Sequence, residues 1–73
     1  MPLAFAPEGG MVRVVGVRGG FGVGRRMAEL GFTPNAILKI VKSGGLGPIL
    51  VEVKGSRLAV GRGVAMKVMV EPL

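Results

Sequence analysis

The sequence predicts one small all-β domain, spanning residues 1–73, whose five strands close into a barrel. Over most of the chain, apolar residues recur with the two-residue period of strands. The chain also has 14 glycines and 5 prolines, which divide the apolar runs into short segments. A chain of 73 residues buries only ~60% of the surface that its unfolded form exposes, and a closed sheet leaves no strand edge open to aggregation.

Three strands are predicted in the first two-thirds of the chain. β-Branched residues dominate Met11–Val17, and Ala36–Lys42 is apolar on both faces. Ile49–Lys54 alternates, so its odd-numbered residues are expected inside the barrel and Leu50 outside. Strands one and two are therefore joined by a long connection, and strands two and three by a glycine-rich loop.

The last third of the chain predicts two more strands. Gly55–Ser56 suits a two-residue turn of type II′, which would lead into a fourth strand over Arg57–Val60. Val64–Met66 is expected to form one helical turn, and Lys67–Glu71 the fifth strand. The alternation of that strand places Met69 on the outside.

The long connection between strands one and two contains the predicted helix. Val23, Met27 and Leu30 have the spacing that places them on one side of a helix. Gly24 is its expected start and Gly31, in a left-handed conformation, its expected end. We expect Met27 and Leu30 to close one end of the barrel.

A tight turn is predicted between this helix and strand two. Proline fixes the first central dihedral at Pro34, and asparagine accepts positive φ at Asn35. Five short strands, a helix between the first and second, and a helical turn before the fifth together predict an SH3-like barrel.

Composition argues against metal binding and catalysis. The chain has no Cys, no His and no Asp, and its acids are four separated glutamates. The best zinc and transition-metal ligands are missing, and no nucleophile has an evident general base. We predict no enzyme, no metal site and no cofactor.

Basic and outward apolar residues form the predicted interaction surface. Arg25 and Arg26 fall in the first turn of the helix, near Arg18, where free N–H groups and guanidinium forks converge on anions. Leu50 and Met69 add apolar residues on outer faces. Three solvated arginines beside a loop are the alternative interpretation, and it is the favoured one because exposed charges usually contribute little.

The formal charge of +6 leaves nucleic acid open as an alternative partner. Stacking aromatics would support that hypothesis, but the chain has only three phenylalanines and no Trp or Tyr. The first residues lack the layout of a secretory signal, so we expect a cytoplasmic protein.

The segment from Arg26 to Asn35 has the sequence Arg-Met-Ala-Glu-Leu-Gly-Phe-Thr-Pro-Asn, in which a predicted short helix ends and leads into a strand. It resembles the FeoA family of small cytosolic ferrous iron transport proteins. Leu30, Gly31, Phe32 and Pro34 match the family's Leu-Gly-hydrophobic-x-Pro-Gly pattern, with Asn35 in place of the last glycine. The resemblance continues through a glycine-led strand at 55–60 and a closing segment at 65–70. It covers nearly the whole chain.

The resemblance implies an SH3-like barrel and an accessory, non-enzymatic role in ferrous iron uptake. The implied partner is the cytosolic part of FeoB, the large G-protein-coupled iron transporter. A related domain also occurs at the C-terminus of iron-dependent repressors. The resemblance carries over no catalytic or ligand residues, and it leaves a homo-oligomer open.

Overall fold

A computed structural model describes residues 1–19, 25, 26 and 28–73 of the chain. A short 3-10 helix, Leu3–Phe5, precedes five strands and one helical turn. These six elements are β1 (Met11–Val17), β2 (Ile37–Lys42), β3 (Ile49–Val53), β4 (Ser56–Val60), α1 (Arg62–Ala65) and β5 (Val68–Pro72). The predicted strand boundaries agree with these to within one residue, whereas the helical turn begins two residues earlier than predicted.

The strands form one antiparallel sheet in the order β4-β3-β2-β1-β5. The all-β prediction is confirmed. The predicted barrel closure is not, because no pairing between β4 and β5 is present in the described part of the chain. β4 and β5 are instead the two ends of the strand order, and the connection 61–67, which contains α1, joins them.

Alternation along the strands produces the core. Ile49, Val51 and Val53 are buried on β3, and Val68 and Val70 are buried on β5, as predicted. The remaining core residues in the described part of the chain come from the 3-10 helix, β1, β2, β4, α1 and the loops: Leu3, Ala6, Val12, Val14, Phe32, Leu38, Ile40, Val60 and Ala65. Every strand therefore directs one face toward the same interior.

The β3–β4 turn differs from its prediction by one residue. Val53 pairs with Ser56, so the two-residue loop is Lys54–Gly55. Both loop residues have positive φ, 51° at Lys54 and 80° at Gly55, which defines type I′ rather than the predicted type II′. The type I′ turn matches the twist of the flanking strands, and Gly55 supplies its second left-handed position.

The Pro34–Asn35 turn is confirmed. Asn35 has φ +73°, and the Ala36 amide donates to the Thr33 carbonyl at 3.0 Å, which closes the turn. The Asn35 amide also donates to the carbonyl of Val14, and the Arg13 guanidinium donates to the side-chain oxygen of Asn35. These bonds attach the turn to β1.

The predicted helix lies partly outside the described residues. Residues 25, 26, 28 and 29 are helical, but Val23, Gly24 and Met27 are not described, so the predicted start and the role of Met27 are untested. Gly31 has φ +98°, as expected for a residue that ends a helix. Leu30 is 45% exposed and does not fill the interior; the neighbouring Phe32, 1% exposed, does so.

The first two residues cover part of the outer edge of β5. The terminal amine of Met1 donates to the Val70 carbonyl at 2.8 Å, and the Val70 amide donates to the carbonyl of Met1 at 2.7 Å. Pro2 forms a bridge with Met69. Within the described residues, no helix combines the length and the apolar character that crossing a membrane requires.

Candidate functional site

A cleft opens where the β2–β3 loop meets the outer surface of the sheet. It has a volume of about 530 Å³. We call it the loop cleft; it is lined by Glu8, Lys42, Gly44, Gly45, Leu46, Gly47, Pro48, Leu50 and Ala59. Lys42, Leu50 and Ala59 are direct cross-strand neighbours on β2, β3 and β4, so the sheet forms its floor.

Leu46 lies in the middle of this loop and is 98% exposed. Its neighbours are Gly45 and Gly47, with Pro48 following, so no bulky side chain precedes or follows it directly. A fully exposed leucine is common as an isolated residue. Here it lies beside half-buried Leu50 and exposed Ala59, which extend the apolar surface into the cleft.

Three hydrogen bonds fix the start of the loop. The Oε1 atom of Glu8 accepts from the backbone amides of Ser43 and Gly44, both at 2.9 Å. The Arg62 guanidinium, from α1, donates to the Ser43 carbonyl at 2.7 Å. The N-terminal segment and α1 therefore hold Ser43 and Gly44 from two sides.

These contacts change the acidity of Glu8. Hydrogen bonds from the Gly44 and Ser43 amides, with a smaller contribution from nearby Lys42, hold the pKa of Glu8 below its ordinary value of 4.5. Because the pKa of Glu8 is lower in the folded state than in the unfolded state, the ionised carboxylate stabilises the fold, and this contribution is fully present at pH values above the unfolded-state pKa. This contribution is lost as the pH falls through the folded-state value.

Glu8→Gln is therefore expected to flatten the pH dependence of stability on the acid side. The free energy of unfolding, measured by urea titration from neutral pH to below pH 4.5, should fall less steeply than for the unchanged chain. Glu29→Gln, which removes an exposed carboxylate elsewhere, is the control. An unaltered acid slope in Glu8→Gln would contradict the loop contact.

Two ion pairs connect charged residues on the outer face of the sheet. Arg13 contacts Glu71 between β1 and β5, and Arg57 Nε lies 3.7 Å from Glu52 Oε2 between β4 and β3. Lys42 has no such partner among the residues that the structure describes. The loop cleft therefore combines Lys42, a cation that lies near Glu8 without forming an ion pair with it, and a carboxylate that already binds the loop.

A second, smaller cleft follows the seam between the helical segment and β4. Its volume is about 240 Å³. We call it the seam cleft; it is lined by Leu30, Phe32, Leu58, Ala59, Val60, Gly61 and Val64. Exposed Leu30 lies at this cleft rather than inside the fold.

The five residues predicted as an interaction surface lie in three places. Arg18, Arg25 and Arg26 are exposed in the connection between β1 and β2. Leu50 is half-buried in the floor of the loop cleft. Met69 is half-buried on β5, next to Gly16 of β1 and Pro2. Two strands lie between Leu50 and Met69 in the sheet, so the structure does not bring these two residues together.

Leu46 is the residue that sequence reasoning missed. It falls within the segment 43–47, which the glycine pattern predicts to be a loop and nothing more. The available signal was the placement of one large apolar residue between glycines, where no strand or helix could bury it.

No group of three or more His, Cys, Asp or Glu side chains comes together in the described ranges. Carboxylates are the metal-binding groups that the chain does have, and Glu8 uses one oxygen to hold the loop. The prediction that this chain binds no metal remains a prediction.

Strand order, turn chemistry and the position of α1 together define a small all-β domain of the SH3-like class. Residues 1–72 match the family model of the FeoA domain, and the chain belongs to that family. A Methanocaldococcus jannaschii protein, provisionally named Fe(2+) transport protein A, is 43% identical over 70 residues. The match covers 96% of this chain and 84% of that protein.

Solved structures of FeoA proteins also resemble this chain. An iron uptake regulatory protein (FeoA) is 36% identical and superimposes with a TM-score of 0.93, covering 100% of this chain and 97% of that one. The zinc complex of Stenotrophomonas maltophilia FeoA is 29% identical, with a TM-score of 0.83, covering 97% and 89%. It is described as a unique procaryotic SH3 domain protein, and a role as a ferrous iron transport activating factor is raised for it.

The fold also occurs in metal-dependent regulators. A manganese-dependent transcriptional repressor is 19% identical with a TM-score of 0.87, and this chain covers 41% of it. That likeness shows the fold alone. The FeoA family is one of accessory iron transport proteins rather than enzymes, which confirms the non-enzymatic prediction.

Proposed function

We propose that this chain is a cytoplasmic accessory protein of ferrous iron uptake. It acts by protein–protein contact with the cytosolic part of a FeoB-type iron transporter. The observation that carries the proposal is the FeoA family match over residues 1–72, together with a 43% identical relative named for Fe(2+) transport.

The chemistry of the chain supports contact rather than iron handling. Its sequence has no Cys, His or Asp, so its side-chain carboxylates are those of four glutamates. The described surface instead offers apolar residues beside cations, notably at the loop cleft. Fully buried interface centres favour apolar residues, and basic residues at their rims steer an acidic partner toward them.

The test is direct binding of the intact chain to the purified cytosolic part of the transporter, measured at about 50 and 200 mM salt. We expect saturable binding that weakens by less than tenfold over this range, because an apolar interface depends little on counterion release. A single-stranded RNA of mixed sequence is titrated in parallel. Absence of transporter binding would overturn the proposal. If the RNA binds instead, with an affinity that falls by orders of magnitude over this salt range, the result favours nucleic-acid binding.

Arg25→Ala/Arg26→Ala tests the proposed basic cluster, of which Arg18 is the third member. Exposed charges at the rim of an interface act mainly on association, so we expect affinity to fall about threefold to tenfold through a slower association rate. Lys67→Ala, which also removes an exposed cation, is the matched control. If the unchanged chain, Arg25→Ala/Arg26→Ala and Lys67→Ala bind the transporter with equal affinity, these arginines are excluded from the contact.

A further inference from the structure

We propose that the loop cleft, with Leu46 at its rim, is the docking surface for an acidic protein segment that carries apolar residues. Leu46, Leu50 and Ala59 contact the apolar residues of that segment, and Lys42 pairs with one of its carboxylates. This inference rests on the proposed function for the identity of the partner, and it adds the site and the chemistry of the partner.

The apolar part of the surface is exposed and continuous with the cleft. Leu46 has 98% of its surface free, and Leu50 and Ala59 form the adjacent floor. The volume of about 530 Å³ falls in the range of 300–1,000 Å³ that is typical of ligand clefts. Small residues around Leu46 allow the backbone of a partner to approach closely.

The start of the loop is already ordered in the free chain. Glu8 and Arg62 hold Ser43 and Gly44 through the three hydrogen bonds described above. Ordering a loop on binding reduces affinity, and a loop fixed beforehand avoids part of that loss. Glu8 is therefore a positioning residue: it acts on the partner through the loop.

Charge selects the partner. Among the described residues that line the cleft, Glu8 is the only one with a carboxylate, and its Oε1 already accepts two backbone hydrogen bonds. Lys42 lines the same cleft and has no ion pair within the described part of the chain. The formal charge of +6 disfavours a second copy of this chain and favours an acidic protein.

The first arm of the test measures affinity for the cytosolic part of the transporter at moderate salt. We expect Leu46→Ala and Lys42→Glu each to weaken binding by tenfold or more. Glu8→Gln is expected to weaken it severalfold and to leave affinity sensitive to Lys42→Glu. The matched controls are Leu30→Ala, which removes a leucine from the seam cleft, and Lys67→Glu; both should change affinity by less than twofold.

Results that place binding elsewhere are equally clear. If the unchanged chain binds but Leu46→Ala and Lys42→Glu change affinity by less than twofold, the docking surface is wrong and the proposed function stands. Loss of binding in Leu30→Ala instead would assign the contact to the seam cleft. Circular dichroism confirms that each variant is folded before its affinity is compared.

The second arm decides the case in which the unchanged chain does not bind the transporter, so that the proposed function fails. A photo-crosslinking amino acid replaces Leu46 in the intact chain in source cells, with Phe5, also exposed, as the control position. An acidic protein segment crosslinked from position 46 and not from position 5 supports the docking surface if, once identified and purified, it binds the unchanged chain and binds Leu46→Ala at least tenfold more weakly; equal binding of the two overturns it. Nucleic acid, lipid, a second copy or no product at position 46 overturns it.

Discussion

Replacing Phe32 with alanine should remove a large share of the free energy of unfolding of this small domain. Among the residues that the structure describes, Phe32 is the largest fully buried side chain, at 1% exposure, and it follows directly on the turn that ends the helical segment. Truncation of a buried phenylalanine costs about 3–5 kcal/mol, because the transfer free energy is lost and a cavity remains. At about 0.05–0.15 kcal/mol per residue, the whole domain has roughly 4–11 kcal/mol.

The measurement is urea and thermal unfolding monitored by circular dichroism. A loss of this size should lower the melting temperature by more than about 10 °C in a domain of this length. Phe5→Ala is the matched control, because Phe5 is 65% exposed and its removal should change stability by no more than about 0.5 kcal/mol. Similar losses in the two variants would show that Phe32 is not the core residue that the structure describes.

Gly31→Val is the second substitution that should lower the free energy of unfolding strongly, because of the backbone conformation at this position. Gly31 has φ +98°, a conformation that a β-branched residue adopts only with strain. A Cβ at this position would lie 3.6 Å from a methyl group of Val53, which is an ordinary contact, so steric overlap adds little. We expect a loss of about 1–3 kcal/mol in the free energy of unfolding.

Gly47→Val is the control for this substitution. Gly47 does not have positive φ, and a Cβ there would meet no atom within 4 Å. Its replacement should change stability by no more than about 0.5 kcal/mol in the same urea titration. If Gly31→Val proves equally neutral, the chain leaves the helical segment by a different backbone path from the one described.

Local patterns in the sequence were sufficient to predict most of the fold. Alternation in β3 and β5 identified the buried faces because strand side chains point in turn to opposite sides. The Pro34–Asn35 turn was predictable because each residue has a specific dihedral preference. The FeoA resemblance rests on the same residues, so the family and the architecture followed together.

The parts that were not predicted depend on contacts between distant residues. The choice between Lys54–Gly55 and Gly55–Ser56 as the turn depends on the pairing of Val53 with Ser56, which composition does not determine. Phe32 is buried where the sequence predicted Leu30, and this difference depends on the position at which the chain leaves the helical segment. The loop cleft requires Glu8 and Arg62 to meet Ser43 from opposite sides, and no local sequence pattern contains that information.

The central claim is that this chain acts in iron uptake by contacting the transporter. The most direct measurement is a pull-down of the tagged protein from detergent-solubilised, nuclease-treated source cells at moderate salt, with mass spectrometry of the retained proteins. Our account predicts recovery of the FeoB-type transporter, reduced for Leu46→Ala and retained for Leu30→Ala. Recovery only of nucleic-acid-associated proteins that disappear with nuclease, and no transporter, would contradict it.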